Sequence, residues 1–168
     1  MQTFDLKPIH QDAVPAALEK AAWYRALHEP LEAESICRDV LAVDPGNQEA
    51  IRTLLLALTD QFGRATRGHR EALELAGRFE GEYERKYYAG IVLERLAKAQ
   101  HQQPTPGAGH AAYEGILRAM AQYEEAERIR PHGNDDAILR WNACARFLQM
   151  HPDVSPAPAV ATQPVELE

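Results

Sequence analysis

Apolar residues recur along most of this chain at spacings of three and four, and no segment sustains two-residue alternation with β-branched enrichment. That spacing is helical, because about 3.6 residues per turn brings i, i+3, i+4 and i+7 onto one face. The pattern predicts seven helices and no sheet. The first spans about 12–27, with Asp12 as cap, Pro15 in its opening turn, and Leu18, Ala21, Ala22 and Trp23 on its apolar face. The second, about 31–43, stops at the breaker run Asp44, Pro45, Gly46 and Asn47. A third, about 48–61, carries Ile51, Leu54, Leu55 and Leu58 at helical spacing, and a fourth, about 70–79, ends at Gly81. The fifth, about 82–100, sets Tyr87, Tyr88, Ile91, Val92, Leu96 and Ala99 on a broad apolar face. A breaker-rich loop, 102–109, precedes a sixth helix at about 110–129, and the seventh runs from Asn134 to about Gln149. The Ala/Pro/Val composition after Pro152 reads as a disordered or extended tail.

Within this helical chain one signature occurs twice. Ala33, Cys37, Val40 and Pro45 are spaced as Ala119, Tyr123, Ala126 and Pro131 are, 86 residues further on. A small residue, a bulkier one a turn later, another small one and then proline past the helix end describes the second helix of a tetratricopeptide-type hairpin. The chain resembles the tetratricopeptide repeat family over roughly residues 12–149. Tyr24, Ala33, Cys37, Val40, Leu41 and Pro45 match in the first repeat, Ala119, Tyr123, Ala126 and Pro131 in the third, and Leu54, Leu58, Ala72 and Ala76 loosely in the second. Ala21 and Leu55 stand where the family has a first-helix glycine, and His28 where it has a turn glycine. A repeat of about 34 residues would separate the two signatures by about 68. The surplus is assigned to the basic loop near 63–68 and to the loop at 102–109.

The fold expected is therefore all-α, a tetratricopeptide-like α-solenoid of about three hairpins (12–43, 48–79, 82–129) and a closing helix. Residues 1–11 form an N-terminal arm, 12–150 the helical domain and 151–168 the tail. An irregular bundle with coincidental spacings is the competing reading.

Composition narrows the function. Lys and Arg number 18 against 25 Asp and Glu, a formal charge of −7, which disfavours coating nucleic acid or an anionic membrane. Residues 1–50 hold four basic and nine acidic side chains, whereas Arg64 to Arg70 holds three arginines and His69 with no acid. Cys37 and Cys144 fall on apolar helix faces and read as core thiols of a reduced protein. The N-terminus lacks an apolar run of signal-peptide type, and Leu54 to Leu58 is far short of the roughly 20 residues a membrane span needs. A cytoplasmic location is expected.

Catalytic motifs are not evident. The seven histidines, at 10, 28, 69, 101, 110, 132 and 151, include no i, i+4 pair and no His-Glu-x-x-His arrangement, so no metal and no other cofactor is expected. The dense carboxylates around Glu80 to Glu84 and Glu124 to Glu127 sit beside Arg85, Lys86 and Arg128, as on a solvated salt-bridged surface. The expectation is a protein that is not an enzyme.

What the resemblance implies is a scaffold or adaptor that holds an extended peptide or protein segment along the concave face lined by the first helix of each hairpin. Leu18, Ala22, Arg25 and Ala26 would line that groove in the first repeat, and Glu49, Arg52, Leu56, Thr59 and Asp60 in the second. Asp135, Ile138, Asn142 and Arg146 of the closing helix, and Arg85, Lys86 and Arg95 of the fifth helix, complete it. The candidate partner-binding residues are Arg25, Arg52, Asp60, Arg95, Asn142 and Arg146, since guanidinium and amide groups grip carboxylates and peptide backbone. Arg64, Arg67 and Arg70 form a candidate anion site, with a charge-balancing loop as its alternative. A self-assembling subunit, packing through Tyr83 to Leu96 or the terminal helix, is the other functional expectation.

Overall fold

A computed structural model describes residues 4–63 and 68–158. Its described residues form a short 3-10 turn, Gln11–Ala13, and seven α-helices with no strand. The helices are α1 (Val14–Ala26), α2 (Pro30–Val43), α3 (Gln48–Thr59), α4 (His69–Gly77), α5 (Glu82–His101), α6 (Ala108–Arg128) and α7 (Asp136–Met150). None is long and apolar enough to cross a membrane.

Local chemistry explains most of the boundaries. Proline opens α2, where its missing N–H is not needed, and the Asn47 side chain accepts the Ala50 N–H at 2.9 Å to cap α3. Gly107 adopts φ +80° at the start of α6, a left-handed backbone that a β-carbon would strain. Three expectations need correction. Asp12 lies in the 3-10 turn and does not cap α1, whose N-terminus has no side-chain cap. Helix α4 ends at Gly77, and Gly81 serves instead as the N-cap of α5. Trp23 does not belong to the buried face: it is 58% exposed, because two residues turn a helix about 200° away from the buried Ala21.

Packing follows chain order. Each helix touches the next, and α1 also meets α3 while α3 meets α5, which sets these three side by side. The helical positions of both signature copies are buried: Ala33, Cys37, Val40, Ala119, Tyr123 and Ala126 all have 0% exposure, while Pro45 and Pro131 beyond the helix ends are exposed. One apolar cluster joins Cys37, Leu55 and Val92 across α2, α3 and α5, and a second joins Ile91, Ile116, Tyr123 and Cys144 across α5, α6 and α7. Leu56 and Tyr88 pack against both.

The extra chain length in the third hairpin goes mainly into its helices. Helices α5 and α6 have 20 and 21 residues against 13 and 14 for α1 and α2, so the surplus is not confined to the loop at 102–109. Their long contact depends on glycine. A β-carbon on Gly90 would lie 2.5 Å from Tyr123 Cε1, and one on Gly115 would lie 2.7 Å from Ala97 Cβ.

The tail boundary also moves. Val154 is 4% exposed, His110 Nδ1 lies 2.8 Å from the Ser155 carbonyl, and His101 Nε2 lies 2.6 Å from Asp153 Oδ2. A β-carbon on Gly109 would overlap the Asp153 carbonyl oxygen. Residues 151–155 thus pack on the adjoining ends of α5 and α6, a correction to the disordered or extended tail that composition predicts there.

Candidate functional site

Helices α1, α3 and α5 bring three of the expected groove residues together. Arg25 projects from α1 near its C-terminus, Asp60 follows the last residue of α3, and Arg95 lies in the second half of α5. Arg25 Nε donates to Asp60 Oδ2 at 2.8 Å, and Arg95 Nη1 donates to Asp60 Oδ1. Arg95 Nη1 also donates to Thr59 Oγ1 at 2.8 Å, and that hydroxyl in turn donates to the Leu56 carbonyl at 2.8 Å. The result is one carboxylate held between two guanidiniums, residues separated by 35 positions on either side.

The three ionic side chains stay partly open to water, at 23% for Arg25, 28% for Asp60 and 30% for Arg95. A cleft of about 310 Å³ beside them is lined by Arg25, His28, Pro30 and Asp60. His28 makes the turn into α2 with φ +61°, a left-handed conformation that costs a non-glycine residue roughly 1–2 kcal/mol. Strain of this kind concentrates at binding and switching sites, where the surrounding fold holds it. Burial raises the Tyr88 hydroxyl of α5 above the usual tyrosine range, and the Arg52 guanidinium of α3 offsets part of that rise.

The remaining expected residues do not join this group. Leu18 is buried at 5% and belongs to packing. Lys86 Nζ pairs with Glu125 Oε2 of α6 at 2.5 Å, and Arg85 donates to the Phe79 and Glu80 carbonyls at 2.8 Å, holding the turn before α5. Asn142 and Arg146 lie on α7, which packs against α6, and no described contact links them to Arg25 or Arg95. Arg70 is exposed in the first turn of α4, while Arg64 and Arg67 lie outside the described residues.

A second polar cluster was not foreseen. Glu94 is 1% exposed between α5, α6 and α7. It accepts from Tyr123 Oη at 2.7 Å and from Lys98 Nζ at 2.6 Å, and Arg140 Nε lies 3.4 Å away. Burial above all, and then the Glu94 charge, pushes the Tyr123 hydroxyl well above the usual tyrosine range. Burial, reinforced by Glu94, raises the Cys144 thiol to about 12, and burial raises Cys37 likewise to about 12. Both thiols are therefore protonated at neutral pH, and nucleophilic thiolate chemistry is disfavoured. The signal for Glu94 was present in the sequence: it falls three residues after Ile91 and three before Ala97, in phase with apolar positions. No described cavity opens onto it, so it acts as an internal ionic tie between three helices.

With the geometry in place, comparison with known proteins adds no relative. No family model, no curated protein and no solved structure matches this chain. Among the described residues, no group of three His, Cys, Asp or Glu side chains is placed to hold a metal ion.

Proposed function

We propose that this chain is a noncatalytic adaptor or assembly factor with a tetratricopeptide-like solenoid architecture, working in the cytoplasm. An extended peptide or protein segment lies across the face formed by α1, α3 and α5. The observation that carries this reading is the convergence of Arg25, Asp60 and Arg95 from α1, the end of α3 and α5, with Arg25 and Asp60 at the wall of an open cleft. Additional support comes from the contacts of α1 with α3 and α3 with α5, and from the burial of the helical positions of both signature copies. Arg52 of α3 adds a further cation beside Tyr88 of α5, and guanidinium groups suit the gripping of peptide carboxylates and carbonyls.

The test is a pull-down from the native cell with mass-spectrometric identification of what is retained. Substituting Arg25, Arg52 and Arg95 together by alanine should release at least one partner that the wild-type protein holds. A parallel variant of Asn142 and Arg146 reports on α7. If neither variant loses a partner, the binding face has been misassigned.

Self-assembly is the second reading, and its support has moved. Tyr83, Ile91 and Val92 are buried within the chain at 8%, 4% and 0%, so the Tyr83 to Leu96 surface is spent on internal packing. Leu139 and Met150 on α7 remain 62% and 69% exposed. Light scattering across a hundredfold concentration range decides it: a constant monomer mass removes this reading.

A further inference from the structure

Arg25 and Asp60 line the cleft beside the end of α3, and Arg95 of α5 holds the second carboxylate oxygen of Asp60 from the other side. Asp60 neutralises one of the two guanidiniums, so the trio carries one net positive charge in a protein whose formal charge is −7. Neither arginine uses its full set of donors. Among the described residues Arg25 bonds through Nε alone and Arg95 through Nη1 alone, although each guanidinium has five N–H groups. Both are also preorganised. Thr59 fixes Arg95 through a hydroxyl that is itself anchored on the Leu56 carbonyl, and Asp60 holds Arg25 from the end of α3. Two oriented guanidiniums with spare donors on either side of one carboxylate, Arg25 at the wall of the cleft and Arg95 behind Asp60, form a carboxylate receptor, because their fork geometry matches two carboxylate oxygens.

We propose that Arg25 and Arg95 bind a carboxylate of the partner segment, and that Asp60 is the resident carboxylate that the partner displaces. This rests on the reading of the α1, α3 and α5 face as a peptide-binding surface. Asp60 suits the part because it lies just beyond α3, 28% exposed, where a rotation of its side chain into water disturbs no helix. Its carboxylate therefore acts as a built-in competitor: it keeps both guanidiniums oriented in the empty protein and weakens the binding of any segment without an acidic group. The shared ligand chemistry is a carboxylate, supplied either by an Asp or Glu side chain or by a chain terminus.

The experiment follows the Arg25 and Arg95 Nε–H signals by NMR during titration with two probes. N-acetylglycine presents a terminal carboxylate and the α-amide of N-acetylglutamate a side-chain carboxylate, each against sodium chloride at equal ionic strength. Wild-type protein and Asp60→Asn are compared, with Glu32→Gln, exposed in the first turn of α2, as a control for general loss of one negative charge. Saturable shifts are expected at both arginines for at least one probe, with half-saturation at least tenfold lower in Asp60→Asn and unchanged in Glu32→Gln. The probe with the lower half-saturation identifies the source of the carboxylate. The proposal is overturned if sodium chloride reproduces the shifts, if Glu32→Gln matches Asp60→Asn, or if removing the Asp60 charge brings no gain. Should Asp60→Asn lose its fold by circular dichroism, the wild-type titration still decides, since an unresponsive pair of arginines refutes the receptor. Combining Arg25→Ala with Arg95→Ala in the pull-down separates the two levels. Loss of a partner without probe binding leaves the peptide face standing and removes the carboxylate, and probe binding without loss of a partner does the reverse.

Discussion

Gly90 and Glu94, one helical turn apart on α5, show how closely this protein depends on single side chains. Replacing Gly90 by alanine puts a methyl 2.5 Å from the Tyr123 ring, which is itself fully buried and unable to retreat. Overpacking of this kind costs about 1–3 kcal/mol, whereas Gly46, with nothing within 4 Å of its added methyl, should tolerate alanine with far less loss. Urea denaturation of the two variants makes the comparison, and equal stability would refute the close contact. Glu94→Ala removes the carboxylate that Tyr123, Lys98 and Arg140 face; with both cations about a third exposed the main loss is the buried Tyr123 hydroxyl left without its acceptor, which costs about 1–3 kcal/mol. A loss below 1 kcal/mol in the same assay would mean that water reaches this site. Cys37 and Cys144 complete the residue-scale picture. Both thiols have 0% exposure, so a thiol reagent at pH 8 should label neither until denaturant unfolds the chain.

At the scale of the elements, the C-terminal segment is part of the fold through residue 155. Val154 is buried, its N–H donates to the His151 carbonyl at 2.9 Å, and Asp153 meets His101 of α5. His151 Nδ1 in turn lies 2.8 Å from the Phe147 carbonyl, and Lys98 sits 5.2 Å above the Phe147 ring. Val154→Ala deletes two buried methyl groups and should cost about 1.5 kcal/mol. Hydrogen exchange provides the sharper readout, because amides at the end of α7 should exchange faster while those of α2 and α3 keep their rates. Uniform acceleration through the whole chain would contradict a local clasp. The ion pair of Arg38 with Glu34 and Glu71 ties α2 to α4, but with 45% of the Arg38 side chain exposed it contributes little.

Over the whole molecule, buried acids set the response to alkali. Burial raises Cys37, Cys144 and Tyr87 each to about 12, from ordinary values of 9.0 for the thiols and 10.0 for tyrosine. Between those limits the unfolded chain has released protons that the folded chain still holds, so the folded state binds more protons and stability falls as pH rises. Their contribution is intact below pH 9 and is lost progressively between about 9 and 12. The thermal midpoint should therefore drop steadily from pH 9 to 11, and a flat profile would show that these groups are solvated in the folded protein.

Helical periodicity, proline and glycine breakers and the duplicated small-residue signature were enough to determine that the chain is all-helical, where its helices lie to within a few residues, and which faces are buried. These are local properties, written in the spacing of neighbours along one helix. Tertiary structure decided what depends on distance through space. It joined Arg25, Asp60 and Arg95 while leaving Asn142 and Arg146 apart, buried Glu94 among cations from α5 and α7, turned Trp23 outward and folded Val154 inward. The reason is geometric. A side chain's partner on another helix is set by the crossing of the helices and the length they share, and here those were fixed by extended α5 and α6 and by the close approach at Gly90 and Gly115.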